Sequence, residues 1–494
     1  MKIDLLTPEP QLEFANGGLC HDVRFGIGHF GTYDSGTDKA PKDIKLGIIG
    51  SNETIDSLTE WLEECRGEIP AKKSNQPNLF PPFPGFSPEH GFHSKLTWDD
   101  STIRAIYFNQ KPATRRADFN KILEDTAKLY TEEISRILDK SDVSVIVCAL
   151  PLEQLKATTA AYMTASLADE PTSENEDSKE SKDKDVVQAL YDFHDYLKAE
   201  SLAFRVPIQI VLPATYDETK QAAQKKIFNR DQQDEATRTW NFHTALYYKA
   251  RGVPWRMLRK PSDLTTCFLG ISFFNTLDRK NIYASSAQVF NERGEGIVVR
   301  GGIAYKDTED RQVHLDEEGA YTIVNTALQK YFDEHNNYPA RIVLHKTSSF
   351  TEYELAGFGK AFNEKGIRNV DYVHVRESST KLFRTKNYPP LRGTLWHHED
   401  NKGILYTKGS VPFYETYPGK YPPGTIYIDS TYAQRTFSEI ASEIFALTKM
   451  NWNSTRFDQK VPITLKASRE VGDILKYVRN SESPSLPPHY RFYM

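Results

Sequence analysis

Short apolar runs alternate with amphipathic stretches along the first half of the chain. The apolar runs have the length and β-branched content of buried strands and lie at 44–51, 102–110, 143–151 and 206–214. Between them lie amphipathic stretches whose apolar side chains recur at the three- and four-residue spacing of one helix face, at 53–67, 119–140 and 185–204. Strands that alternate with helices indicate βαβ units and a mostly parallel sheet. The first half is therefore predicted to have an α/β fold with Rossmann-like layering.

The pattern changes at about residue 261. An apolar strand at 265–275 and a hairpin at 282–302 come first, and alternating helices and strands follow at 319–336, 340–347, 350–366 and 370–378. Antiparallel hairpin strands followed by a returning βαβ unit are typical of an RNase H-like layout. We expect an amino-terminal segment and a first domain within 1–260, and a second, RNase H-like domain at 261–494.

Two segments interrupt this alternation. Residues 169–185 contain eight acids and three lysines without a large apolar side chain, which predicts a disordered acidic loop. Residues 75–88 are rich in proline and aromatic residues, and we expect an ordered crossing over the surface.

Composition narrows the class of protein. The 494-residue chain has a net charge of -5 and no stretch near the roughly 18 apolar residues that a membrane span needs. The first residues lack the apolar core of a secretory signal. Four cysteines lie far apart, without metal-ligand spacing, which indicates a reducing compartment. We expect a cytoplasmic globular protein.

Positive charge concentrates between residues 220 and 260, where ten lysines and arginines face three acids. Four aromatic residues are interspersed with them: Trp240, Tyr247, Tyr248 and Trp255. Charge with stacking surfaces suits a phosphate backbone and unpaired bases. The alternative is a solvated basic helix face above ordinary core aromatics.

Specific phrases in this region resemble Argonaute proteins. Tyr216-Asp-Glu-Thr-Lys220, the pair Gln232–Gln233 and Lys249 are similar to the residues with which an Argonaute MID domain holds the 5′-phosphate of a guide strand. The phrase YYKARGVPWRM resembles the passage from MID to PIWI, and the likeness continues through CFLGISFF, RIVLHKTSSF and GTLWHHEDNKG. With FGIGHFGTYD near the start, the layout resembles a short prokaryotic Argonaute, with a MID-like domain before a PIWI-like domain.

The resemblance implies roles for individual residues. Tyr216 would stack on the first guide base or bond its phosphate, and Lys220 and Lys249 would supply charge. Gln232 or Gln233 would donate to a phosphate oxygen, and His243 would assist. The carboxylate of Met494 would share a structural Mg²⁺ with the guide phosphate.

The resemblance also implies that the PIWI-like domain is not a nuclease. Active PIWI domains hold two metal ions with a tetrad of acidic residues. At the first two aspartate positions this chain has Ser272 and Thr347, and near the final helix it reads Met450-Asn451-Trp452-Asn453. No catalytic residue is expected. The alternative is a metal-dependent nuclease with displaced ligands such as Glu292, Glu295 and Asp371.

For the whole protein the resemblance implies a sensor rather than an enzyme. A short 5′-phosphorylated guide RNA would direct it to single-stranded DNA in prokaryotic defence. Its partner would be an APAZ-containing effector, a TIR or sirtuin-like NADase or a nuclease, in a heterodimer whose activation depletes NAD and aborts infection. A stand-alone guide-dependent nucleic-acid binder and an unrelated Rossmann-type enzyme remain alternatives.

Overall fold

The computed structural model describes residues 2–6, 8–109, 116–159, 191–258, 263–290, 296–382, 389–419, 421–478 and 486–494. The acidic segment 169–185 and the boundary expected at 260 lie outside the described residues. Within these ranges, a search for membrane spans finds every helix too short or too polar to cross a bilayer.

The first half is built on a parallel sheet. Its strands are β4 (Asp43–Gly50), β5 (Lys95–Thr97), β6 (Ile103–Ala105), β7 (Val145–Ala149) and β8 (Ile208–Val211). They run in the order β5-β4-β7-β8, with β6 also on β4, and every pairing is parallel. The four strands predicted in this half are confirmed, with ends shifted by a few residues.

Helices cover both faces of this sheet. They are α2 (Asn52–Glu64), α3 (Arg116–Leu138), α4 (Leu152–Thr158), α5 (Phe193–Ser201), α6 (Pro213–Tyr216), α7 (Gln221–Phe228) and α8 (Glu235–Lys249). Alternate residues of β7 therefore enter different cores: Val145 and Val147 pack in one, Ile146 and Cys148 in the other. A strand buried on both faces gives the continuous apolar run seen in the sequence.

The second half forms a large mixed sheet. Its strands after residue 263 are β10 (Thr266–Asn275), β11 (Ile282–Phe290), β12 (Gly296–Val298), β13 (Ile303–Lys306), β14 (Val313–His314), β15 (Arg341–Lys346), β16 (Asn369–Ser378), β17 (Thr394–Glu399), β18 (Lys402–Leu405) and β19 (Thr425–Tyr432). β10 pairs antiparallel with β11 and parallel with β15, which pairs parallel with β16. This is the hairpin and βαβ order predicted from the sequence.

The helices of the second half pack on that sheet. They are α9 (Glu317–His335), α10 (Glu352–Glu364), α11 (Phe437–Leu447) and α12 (Ile463–Leu475). At Gly270 a Cβ atom would lie 2.3 Å from the main-chain oxygen of Thr464. The glycine therefore allows α12 to cross close over β10.

The amino-terminal segment pairs with strands of both halves. β1 (Lys2–Leu5) pairs with β17 and extends the large sheet. β2 (Leu12–Glu13) pairs with β3 (Leu19–Cys20) and with β9 (Arg256–Met257), and α1 (Val23–Phe30) follows. The residues before 260 are thus not one continuous unit.

The proline-rich segment is more than a surface crossing. Phe83 and Phe86 are buried, and their rings pack against His243 with centroids 5.0 and 5.2 Å away. Several prolines keep the segment extended, which lets its aromatic residues enter the core.

Candidate nucleic-acid interface

Helix α8 carries basic side chains at its two ends. It begins where the Asp234 side chain accepts a hydrogen bond from the main-chain N–H of Thr237, 3.1 Å away. Near its start, Nε of Arg238 donates to the main-chain oxygen of Thr215 at 3.1 Å. Its last residue is Lys249. Helix α8 therefore begins next to the segment after β8 and ends near the start of β8.

A cluster of buried lysines lies where the last residues of the chain meet this end of α8. Lys249 is 2% exposed, and its Nζ donates to Oε1 of Gln209 on β8 at 2.5 Å. Lys198, on α5, is 1% exposed, and its Nζ donates to the main-chain oxygen of Met494. We call Lys198, Gln209, Lys249 and Met494 the lysine cluster.

Burial makes the positive charges of this cluster costly. It lowers the pKa of Lys198 to about 8, although the charge of Asp195 acts in the opposite direction. It lowers the pKa of Lys249 well below its ordinary value, and the neighbouring charge of Lys198 lowers it further. In the described part of the chain, the hydrogen-bond partner of the Lys249 ammonium is a neutral amide. An anion placed here would satisfy both lysines.

Tyr216 and Lys220 lie beyond the other end of β8. Nζ of Lys220 is paired with Oε1 of Glu53 at 2.6 Å. The Tyr216 side chain is buried beside Thr54, and burial raises the pKa of its hydroxyl. That hydroxyl makes no hydrogen bond of good geometry with any described residue. The Thr54 side chain acts on that pKa in the opposite direction through a weak hydrogen bond, so the hydroxyl is incompletely bonded.

The structure therefore separates the expected phosphate-binding residues into two groups. Lys249 and Met494 meet in the lysine cluster, through Lys198. Lys220 is held by Glu53 next to Tyr216. Lys198 was missed in the sequence analysis.

The glutamine pair lies at the contact between the two halves. Oε1 of Gln233 accepts from Nδ2 of Asn241 at 3.1 Å, and Oδ1 of Asn241 accepts from the main-chain N–H of Thr455 at 2.8 Å. Gln232 beside it is partly exposed. Gln233 thus helps to join the halves, and both glutamines are partly exposed.

His243 occupies the core rather than the interface. It is fully buried, its Nδ1 lies 2.9 Å from the main-chain oxygen of Thr239, and burial lowers its pKa to about 4. A neutral imidazole enclosed by aromatic rings has no path to a phosphate. The assisting role expected for His243 finds no support in this placement.

The aromatic residues of the basic region also belong to the core. All four are buried: Trp240, Tyr247, Tyr248 and Trp255. The indole N–H of Trp240 donates to the main-chain oxygen of Pro82 at 3.0 Å, and the ring of Tyr248 packs on Trp452, centroids 4.6 Å apart. The core alternative is therefore correct for these rings, which cannot stack on bases from these positions.

The tetrad positions carry hydroxyl side chains, and a buried ion pair lies on the other face of the sheet. Ser272 on β10 is buried opposite Ser285 of β11, and Thr347 directly follows β15. Nζ of Lys346 lies 2.8 Å from the carboxylate of Glu354 and 2.7 Å from the main-chain oxygen of Ser349, and both charged side chains are fully buried. The Lys346 ammonium lies over the Phe273 ring, on the face of the sheet opposite to Ser272, because successive side chains of a strand point to opposite faces.

Other acids considered as metal ligands have different roles. Asp371 is buried 2.6 Å from Arg341 and accepts from the main-chain N–H groups of Gln434 and Arg435. Glu292 and Glu295 lie outside the described residues. Among the described residues, a group with metal-ligand spacing is formed at the start of α5 by Asp192, His194 and Asp195. It shares no residue with the tetrad positions.

Helix α12 lies next to the tetrad position on β10. α12 packs against β10, and Nδ1 of His345 lies 2.9 Å from Oγ1 of its Thr464. Residues 450–453 precede this helix, and Trp452 packs on Tyr248 instead. The helix facing Ser272 is therefore α12.

Comparison with known proteins identifies the architecture. No protein-family model and no curated protein sequence matches the chain. Solved structures do match. Clostridium butyricum Argonaute bound to a guide DNA and a 19-mer target DNA has a TM-score of 0.61 at 15% identity, over 97% of this chain and 53% of that one. Drosophila Piwi has a TM-score of 0.57 at 12% identity, over 99% and 56%.

A third structure, A. aeolicus Argonaute, has a TM-score of 0.54 at 14% identity, over 96% of this chain and 53% of that one. The chain thus spans about half the length of the structures it matches. Likeness at this identity shows the fold. The protein has a mixed α/β fold that matches the MID and PIWI architecture of Argonaute proteins.

Proposed function

We propose that this protein binds a short 5′-phosphorylated guide RNA and uses it to recognise complementary single-stranded DNA. The observation that carries the proposal is the lysine cluster. The buried Lys249 ammonium is bonded to a neutral amide and lacks a counter-anion, and a terminal phosphate supplies one. The Argonaute structure that binds a guide DNA and a target DNA has the same fold.

Each group would make a distinct contribution. Lys198 and Lys249 would neutralise the terminal phosphate next to Met494. Lys220 would leave Glu53 and pair with a phosphate of the guide RNA. The buried hydroxyl of Tyr216 would donate a hydrogen bond to the guide RNA. Gln232 is partly exposed and would add a donor.

The structural Mg²⁺ expected beside Met494 is not supported by these residues. The Met494 oxygen already accepts from the Lys198 ammonium, and Lys249 adds a second positive charge close by. Mg²⁺ binds oxygen ligands and is repelled by ammonium groups. The lysines supply the charge that a metal ion would otherwise provide.

We further propose that the chain does not cleave nucleic acid and acts through an APAZ-containing effector, a TIR or sirtuin-like NADase. The side chains of Ser272 and Thr347 support the first part, because two-metal catalysis needs carboxylates at these positions. On target recognition the effector would deplete NAD in prokaryotic defence. Co-purification of the native protein tests for this partner.

The nucleic acid that co-purifies with the protein tests the guide proposal. Its 5′ ends are labelled with and without prior phosphatase treatment, and its length is measured. We expect short 5′-phosphorylated RNA, lost in the Lys220→Ala/Lys249→Met variant and retained in Lys225→Ala. Lys225 is a suitable control because it lies in the same basic region but pairs with Asp231. RNA of random length, unchanged by the double variant, would refute the proposed site.

Guide binding is expected to depend on pH through Lys198. A bound phosphate raises the lowered pKa of about 8, because an anion favours the charged lysine. Binding therefore takes up a proton near pH 8. Affinity should fall between about pH 7 and 9, approaching about tenfold per unit at the upper end. Titration calorimetry in buffers of different ionisation enthalpy measures the proton uptake.

In the guide-free protein, Lys198 makes the free energy of unfolding depend on pH. The unfolded chain holds the Lys198 proton with its ordinary pKa of 10.5, above the folded value. The unfolded state then binds more protons between these two values, so this group makes the free energy of unfolding rise with pH there. A guide with a 5′-hydroxyl is the matched control and should bind without proton uptake. Equal uptake with both guides would contradict the assignment.

Restoring aspartates at the tetrad positions is expected to leave the chain inactive. In Ser272→Asp/Thr347→Asp only two carboxylates are added. Two carboxylates are too few to hold the two metal ions of an acidic tetrad. Cleavage of labelled target is measured with Mg²⁺ and Mn²⁺, and circular dichroism confirms folding. Guide-dependent cleavage by this variant would show that two carboxylates suffice.

A further inference from the structure

A cleft of about 420 Å³ opens at the edge of the first sheet where its strands begin. The turn from α3 to β7, the turn before β8, the end of α8 and the last residues of the chain surround it. Tyr216 and Lys220 lie beyond the opposite end of β8 and take no part in it.

The lining of this cleft is strongly basic. Arg205, Arg251, Arg491 and Lys249 contribute to its wall, against the single acid Asp142. Lys249 directs its ammonium to Gln209, so the arginines provide most of the cleft's accessible charge. Guanidinium groups bind phosphate in a planar, two-pronged geometry.

Two of these arginines occupy unusual backbone positions. Arg205 follows a helical turn with φ of 53°, and Arg251 follows α8 with φ of 75°. Glycine or asparagine normally takes such positions, because a bulky side chain is strained there. Two arginines of the same cleft therefore occupy positions that the backbone would leave to glycine.

Aromatic side chains lie beside the charge. Phe204 and Phe492 line the cleft, and the Arg491 guanidinium lies over the Phe492 ring, 5.3 Å from its centroid. This arrangement offers a phosphate site next to apolar surface. The volume lies in the range of pockets that hold one small molecule.

We propose that this cleft binds the phosphate of a nucleotide-sized ligand, with Arg205, Arg251 and Arg491 around the phosphate and the base against Phe204 and Phe492. The cleft shares Lys249 with the proposed guide site, and its three arginines are not part of that site. The same chemistry occurs in a free nucleotide and in a nucleotide within a strand.

Calorimetry with the guide-free protein tests the proposal with AMP, inorganic phosphate, adenosine and a single-stranded oligonucleotide without a 5′-phosphate. We expect saturable binding of AMP, weaker binding of phosphate and none of adenosine. In Arg205→Gly/Arg251→Gly the affinity for AMP should fall at least about tenfold. Both changes place glycine where φ is positive, so the variant is expected to fold at least as stably.

The control is Arg279→Gly, because Arg279 also has positive φ, 56°, but lies outside the cleft. It removes the same charge and should leave AMP binding unchanged. Binding of the oligonucleotide with the same sensitivity, without AMP binding, would identify a strand as the source of the phosphate. Adenosine binding as tightly as AMP, or an equal loss in Arg279→Gly, would overturn the proposal.

Competition separates this proposal from the guide proposal. AMP should bind equally to wild type and to Lys220→Ala, and should not displace a 5′-phosphorylated guide. Displacement of the guide by AMP would show that both bind at one site, and would overturn the proposal of a second site. Loss of guide binding in Lys220→Ala with AMP binding intact would leave the cleft proposal standing.

Discussion

Replacing Lys249 with methionine is expected to weaken guide binding by about 100-fold while stabilising the guide-free protein. Loss of a buried charged contact to a ligand costs roughly 2–5 kcal/mol of binding free energy. Without the ligand the same ammonium destabilises the protein, because it is buried, bonded to the neutral amide of Gln209 and close to Lys198. Methionine has a similar length and no charge, so the free energy of unfolding should rise by about 1 kcal/mol.

Two measurements check these opposite effects. Affinity for 5′-phosphorylated and 5′-hydroxyl guide RNA is measured by titration, and stability by urea unfolding of guide-free protein. The 5′-hydroxyl guide should show little difference between wild type and variant. A variant that is less stable and binds both guides equally would give Lys249 a structural role instead.

The fold could be predicted because its signals are local. β7 and β8 are short apolar runs, and α2 begins at Ser51, whose side chain accepts from the N–H of Thr54. Such signals depend on neighbours in sequence. β1 has no such signal for its partner, since its pairing with β17 joins residues nearly four hundred positions apart.

The site was predictable only in part. Lys249 stands in a recognisable phrase, whereas Lys198 follows Leu197 on an ordinary amphipathic helix and becomes significant only where it meets Met494. For His243 the sequence suggested a role in binding that its buried position does not support. Its place in a basic stretch suggested a ligand contact, but Phe83 and Phe86, from a segment expected at the surface, enclose it.

A second buried lysine is expected to show the opposite effect on stability when replaced, because its partner is a carboxylate. Lys346 is as buried as Lys249, but the carboxylate of Glu354 lies 2.8 Å from it. Replacing Lys346 with methionine leaves that carboxylate buried without its counter-charge. We expect the free energy of unfolding to fall by about 3–5 kcal/mol, a large part of the total for a typical domain.

Urea unfolding of Lys346→Met, of Glu354→Gln and of the double variant measures this effect. The double variant should recover most of the loss, because the neutral amide needs no counter-charge and its oxygen can still accept from the main-chain N–H of Leu315, as Glu354 does at 2.9 Å. Guide binding per folded molecule should stay unchanged in all three, in contrast to Lys249→Met. If Lys346→Met were as stable as wild type, the pair would contribute nothing to the fold. The Lys346 ammonium is thus needed to neutralise a buried carboxylate, whereas the Lys249 ammonium, held by an amide, is available to a phosphate.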